Sequence, residues 1–204
     1  MNNPWLEIPS DDYENHMSEI GQSQILNQLL EKHLNQYKPK KFALLGCSTG
    51  NGLEHIDSRI TKTTYVIDIN PKYLEITYHK FHKTLNLKPY NIDIQNTALD
   101  FRDIELFFIG LVLEYVDPLK SLKNIITTLG KNAILSLVIQ KNEKTTFVTS
   151  TKYKSLEKLS KISNQVNEDN ISSFLLQNGL ELINRDVIVL NKNKSFIYLN
   201  YQLL

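Results

Sequence analysis

The sequence is poor in the residues that staple or anchor a chain. Its 204 residues hold one cysteine, Cys47. That excludes a disulfide within the chain and argues against a cysteine-based zinc cluster. No apolar run approaches the roughly 20 residues that cross a bilayer, so no membrane role is expected. The opening Met1-Asn2-Asn3-Pro4-Trp5 lacks the basic and apolar stretches of a secretion signal, and the expected compartment is the cytoplasm. Neither sign of charge dominates: 23 Lys and Arg stand against 22 Asp and Glu, a formal net charge of +1. The balance gives no footprint for nucleic acid or a membrane surface. There is no internal repeat and no Gly/Ser/Pro linker. Length and continuity lead to one domain over residues 1–204.

What is present is an alternation of strand-like and helix-like segments. Gln22 to Leu34 carries Ile25, Leu26, Leu29, Leu30 and Leu34 on one helical stripe. Phe42 to Leu45 is a short apolar run that stops at glycine, and a short helix is expected over Leu53 to Ile60. Thr64 to Ile69 is a second β-rich run. Asn70-Pro71 then opens a helix to about Leu85 by the N-cap and first-turn proline rule. Tyr90 to Ile94, Ile104 to Ile109 and Asn132 to Ile139 read as further strands, with a helix from Asp117-Pro118 to about Leu129. Ile171 to Gln177 reads as a helix that stops at Gly179. Leu180 to Leu190 and Ser195 to Leu203 are β-rich runs joined by a short link, which predicts an antiparallel hairpin. The expected fold is α/β: a Rossmann-like, doubly wound, mostly parallel seven-stranded sheet with a C-terminal antiparallel hairpin and helices on both faces.

The most informative stretch is Gly46-Cys47-Ser48-Thr49-Gly50-Asn51-Gly52, after the first strand. Glycines permit a tight turn and let backbone approach a ligand closely. A helix amino end offers free N–H groups to an anionic ligand. Asp68 ends the next strand, where an acid can accept hydrogen bonds from both hydroxyls of a ribose. The glycine order differs from the G-x-G-x-x-G dinucleotide fingerprint, and the Lys-Ser/Thr ending of a P-loop is absent.

Turn and acid together resemble the first motifs of the class I S-adenosylmethionine-dependent methyltransferases. Leu106 to Pro118 resembles that family's fourth-strand motif, and the terminal hairpin its antiparallel seventh strand. The resemblance runs from about Tyr13 to the end. It implies S-adenosylmethionine as cofactor, with Gly46, Cys47, Ser48 and Gly50 around its methionine end and Asp68 on its ribose. It implies Ile69 against the adenine, Asp93 and Ile94 at the adenine edge, and Gly110 at the end of the fourth strand. Two positions depart from the pattern. Leu44 stands where the family usually has an acid, which leaves the cofactor's ammonium to the backbone carbonyls of Gly46 and Gly110. Ser48 replaces the middle glycine.

Methyl transfer from a sulfonium has a good leaving group, so alignment and exclusion of water carry much of the catalysis. No fixed catalytic signature is required, and none is present. Glu114 and Tyr115, with Gln140, fall at the expected mouth of the site. Glu114 as an ordinary exposed acid and Asp93 as a turn cap are the alternatives. Residues 1–21 read as a lid, in which Tyr13 and Met17 reach the cofactor and His16 serves as acid or base; a surface histidine is the alternative for His16. His33 and His55 are expected on helix surfaces. His79 and His82 share a helix face with no third ligand, and no metal is expected. Residues 141–167 read as a substrate cap or a plain surface excursion.

The leading expectation is methyl transfer to a small molecule. The alternatives are a non-catalytic module binding S-adenosylmethionine or S-adenosylhomocysteine, and a macromolecular methyltransferase for RNA or protein that needs a partner. The acceptor and the oligomeric state are not encoded in any motif.

Overall fold

A computed structural model describes residues 3–143 and 145–204. Seven strands form one sheet in the order β3-β2-β1-β4-β5-β7-β6. The chain divides into two compact units, residues 1–92 with 146–162, and residues 93–145 with 163–204. Met1, Asn2 and Lys144, the last within the expected cap, lie outside the described residues.

In the first unit, β1 (Lys41–Leu45), β2 (Thr63–Asp68) and β3 (Leu87–Asn91) are parallel, with Leu44 beside Val66 and Ile67 beside Tyr90. The inner strands are near-continuously apolar because both of their faces are covered. Their helices are α1 (Ser10–Glu19), α2 (Gln22–Tyr37) and α3 (Pro71–Phe81). As the sequence predicts, Asn70 caps α3 by accepting the Lys72 amide at 3.0 Å, with Pro71 in the first turn.

In the second unit, β4 (Ile104–Gly110) and β5 (Leu129–Asn142) are parallel. Strand β7 (Lys194–Leu203) runs antiparallel to both β5 and β6 (Leu180–Asn191), so the expected hairpin closes the sheet. Helices α4 (Pro118–Ile126) and α5 (Glu168–Gln177) complete it. Asp117 caps α4, and Gly179 follows α5 with φ +82°.

Several boundaries differ from the sequence reading, each for a local reason. The third strand starts earlier, at Leu87, and admits Pro89 because β3 is an edge strand that can spare one N–H. It stops at Asn91 because Asp93 captures the Gln95 amide and turns the chain. The helix expected over Leu53 to Ile60 is a single 3-10 turn, Leu53–His55. Asp57 accepts the Arg59, Ile60 and Thr61 amides and begins a separate turn. Helix α4 ends at Ile126, where the Thr127 and Thr128 hydroxyls take the Asn124 and Ile125 carbonyls, and Leu129 already belongs to β5. His33 is fully buried rather than on the surface; its Nδ1 meets the Leu29 carbonyl at 2.6 Å, which satisfies the ring one helical turn back. His55 is half-buried and bonds Asn27.

The glycines of the turn after β1 are sterically required. Gly52 has φ +89°, and a Cβ there would sit 2.7 Å from Leu30 Cδ2. Gly52→Ala combines an unfavourable backbone with overpacking. It is expected to lower the unfolding free energy by roughly 2–4 kcal/mol, measured by urea titration.

Candidate functional site

The turn joining β1 to the 3-10 turn at Leu53 is pinned to β2. The Gly46 and Cys47 amides both donate to the Ile67 carbonyl, at 2.8 and 3.3 Å. Gly46, Ser48, Gly50 and Gly52 all have positive φ, so the family's middle-glycine position demands that conformation here as well. Ser48 holds φ +47° against the steric preference of an L-residue. Its N–H donates to Asp68 Oδ2 at 2.9 Å, and its carbonyl accepts the Thr77 hydroxyl at 2.7 Å.

Asp68 is the electrostatic centre of this unit. It is 8% exposed. Oδ1 accepts the Asn70 amide at 2.9 Å while Oδ2 accepts that of Ser48. Burial pushes its carboxyl up to about 6, opposed by the backbone N–H groups of Asn70, Ser48 and Ile69. A carboxylate can accept about four hydrogen bonds. Asp68 therefore retains capacity for two hydroxyl donors, and its place at the end of β2 fits a ribose. Ile69, next along, is half-buried. Leu44 is buried within β1 and brings no charge.

Cys47 is buried, and burial followed by Asp68 raises its thiol well above the usual range. It is a packing residue, not a nucleophile.

The N-terminal residues are folded onto this turn. Helix α1 carries Tyr13, whose phenol is pushed up by burial and faces Ser48, Asp68 and Cys47. Tyr13 lies between Trp5, which it meets edge-to-face, and Tyr73, to which it is tilted by 38°, with centroids 5.8 Å away in each case. Glu14 accepts from the Thr49 hydroxyl and pairs with Lys80 at 3.1 Å, while Lys80 also donates to the Thr49 carbonyl at 3.2 Å. Met17 is buried. His16 is 3% exposed, not a surface histidine, and its Nδ1 meets Thr151 Oγ1 at 2.9 Å. Ser155 donates to Asp12, and Lys158 pairs with Glu7 at 2.6 Å. The expected lid and part of the expected cap are thus one assembly.

The second unit carries the remaining candidates. Asp93 caps its own turn: Oδ1 accepts the Gln95 amide and Oδ2 the Asn96 side chain. Ile94 is buried, and its carbonyl accepts from Asn124 of α4. Gly110 ends β4, followed by Leu111 at φ +57°. Glu114 is fully buried rather than an exposed acid, and burial pushes its carboxyl up to about 7. Its Oε1 accepts the Gln140 amide at 2.5 Å, the first β5 amides beyond the end of β4 needing such a partner. Tyr115 is half-buried in the same 3-10 turn.

Thr77 and Lys80 carried no signal in the sequence as neighbours of this turn, whereas Thr49 lies inside the glycine turn, Glu14 in the expected lid and Thr151 in the expected cap. Among the described residues no group of three His, Cys, Asp or Glu is arranged to hold a metal ion, and no helix is long and apolar enough to cross a membrane.

Residues 44–137, the stretch that holds this turn, Asp68 and Glu114, match the family model described as a methyltransferase domain. The likeness of this stretch is to a methyltransferase domain. The fold is similar to that of the N-methyltransferase NodS from Bradyrhizobium japonicum, solved with S-adenosyl-L-homocysteine. The TM-score is 0.66 at 14% identity, over 89% of this chain and 87% of that one. It is also similar to geranyl diphosphate C-methyltransferase from Streptomyces coelicolor, with TM-score 0.67 at 9% identity over 89% and 77%. The [4+2]-cyclase SpnF shares it too, with TM-score 0.66 at 9% identity over 87% and 80%. At these identities the likeness is one of fold. No curated protein sequence matches the chain.

The two raised carboxyls have a stability consequence. A carboxyl whose folded value lies above its unfolded value favours the folded state only while protonated. Stability therefore falls as pH rises from about 4, with the loss complete above about 6 for Asp68 and about 7 for Glu114. Glu114→Gln is expected to raise the Tm at pH 8, by about 2–4 °C for each kcal/mol of relieved charge burial, and to leave it nearly unchanged at pH 4. Calorimetric scans at the two pH values check this.

Proposed function

We propose that this protein transfers a methyl group from S-adenosylmethionine to a small-molecule acceptor. The observation that carries the reading is Asp68: a buried carboxylate at the end of β2, braced by the glycine turn, with hydrogen-bonding capacity left on both oxygens. When bound, S-adenosylmethionine supplies an electrophilic methyl on a sulfonium, a good leaving group.

The residues of the first unit divide the work. Asp68 accepts from the ribose hydroxyls. Gly46, Cys47, Ser48 and Gly50 wrap the methionine end with backbone, and Gly46 offers its carbonyl to the ammonium in place of the acid that Leu44 lacks. Ile69 packs on the adenine. Tyr13 and Met17 of α1 cover the cofactor and exclude water, and His16, oriented by Thr151, is the proton-handling side chain there. In the second unit, Asp93 and Ile94 serve the adenine edge and Gly110 the ammonium, while Tyr115 accompanies Glu114 in receiving the acceptor. A near-neutral chain supports a small acceptor over RNA, whose phosphates call for a basic face. The N- and C-methyltransferases among its structural neighbours support the same class.

A second reading is a module that binds the cofactor without transferring its methyl. Leu44 in place of the acid favours it, and the cyclase neighbour is not named for methyl transfer.

Calorimetric titration with S-adenosylmethionine and S-adenosylhomocysteine tests the reading. Micromolar binding is expected. Asp68→Ala removes two hydrogen bonds to a charged acceptor and should weaken binding by about 100-fold or more. Unchanged affinity in the variant would remove Asp68 from the cofactor site. Binding without label transfer to any small molecule of a cell extract would favour the second reading.

A further inference from the structure

Among the described residues, two buried side-chain atoms have no hydrogen-bond partner: Glu114 Oε2 and Asn142 Nδ2. Both belong to one polar cluster of the second unit. Gln140 stands between them, its backbone N–H on Glu114 Oε1 at 2.5 Å and its Nε2 on Asn142 Oδ1 at 2.9 Å. Residues 164 and 165 bond to the cluster. The Asn164 amide donates to the Glu114 carbonyl at 2.8 Å, and the Asn142 amide donates to Gln165 Oε1 at 3.3 Å. The cluster lies at the carboxyl ends of β4 and β5, the end at which open α/β sheets bind ligands.

Folded proteins rarely leave buried polar atoms unpaired, and such atoms call for an explanation. Here the two are complementary in kind. Glu114 Oε2 is an acceptor on a group that gains a full negative charge when ionised. Asn142 Nδ2 is a donor. Their shared neighbour Gln140 ties each in place by the opposite end, so both free atoms are pre-oriented. A water molecule on Glu114 Oε2 would leave the carboxylate charge uncompensated in a buried place. An ammonium N–H satisfies the acceptor and the charge together.

We propose that Glu114 Oε2 and Asn142 Nδ2 form the recognition subsite for the methyl acceptor, and that the acceptor is a small amine with a hydroxyl or carbonyl oxygen close to its nitrogen. The nitrogen donates to Glu114 and the oxygen accepts from Asn142. The subsite stands on the unpaired atoms; only its assignment to the methyl acceptor rests on the methyl-transfer reading.

The test uses the full chain at pH 8 with ethanolamine as probe, and with propylamine and ethylene glycol as its single-function controls. Ethanolamine at about ten times its dissociation constant is expected to raise the Tm by about 3–6 °C, well above either control. Glu114→Gln and Asn142→Ala should each abolish the difference while still binding S-adenosylhomocysteine. Two variants on different elements guard against one failing to fold. No stabilisation of the wild type by ethanolamine, or equal stabilisation of Glu114→Gln, would overturn the proposal. So would a crystal structure grown with ethanolamine in which one water bridges the two atoms. Ethanolamine binding without S-adenosylhomocysteine binding would support the subsite and sink the methyl-transfer reading alone.

Discussion

The hydrogen bond from the Ser48 amide to Asp68 is the constraint on which the first unit's site depends. It joins a turn that leaves β1 to an acid that ends β2, two places 20 residues apart in sequence. Without it, Ser48 has little reason to hold a positive φ, since the left-handed region costs an L-residue roughly 1–2 kcal/mol. With it, the bond lies in a buried place where charge-assisted hydrogen bonds are strong. The Thr77 hydroxyl holds the other side of the same peptide pair. A serine where glycine is usual is thus accommodated by two neighbours, Asp68 and Thr77, and the turn keeps its shape.

Burial of carboxylates recurs as a theme, with a different compensation in each case. Asp68 accepts the Ser48 and Asn70 amides and remains ionisable near neutral pH. Glu114 caps the open ladder of β5 with one oxygen and leaves the other unsatisfied, and its affinity for a proton is raised further. A protein that needed only to end a strand pairing could do so with a neutral side chain at lower cost.

The N-terminal residues illustrate how one short helix gathers contacts from distant sequence. Tyr13, Glu14 and His16 of α1 face respectively the Ser48 region, the Thr49–Lys80 pair and Thr151. Charged pairs at the edge of the N-terminal segment, such as Lys158 with Glu7, are exposed and contribute little to stability. The anchoring comes instead from the buried aromatic contact of Tyr13 with Tyr73 and from the Tyr73 hydroxyl on the Ile8 carbonyl.

Some of this was determined by the sequence alone. Strand alternation, the Asn70-Pro71 and Asp117-Pro118 helix starts, the closing hairpin and the glycine turn with its acid are all local signals, because backbone geometry and capping act over a few residues. The same locality explains the misses. Whether His33, His16 and Glu114 lie inside or outside depends on what packs over them, which periodicity does not record. The end of β3 depended on one Asp93 side chain reaching a backbone amide. The links of Glu14 to Thr49 and of Glu114 to Gln140 join residues 35 and 26 positions apart. The unpaired atoms of Glu114 and Asn142 are properties of an enclosure, and an enclosure exists only once distant segments have closed over it.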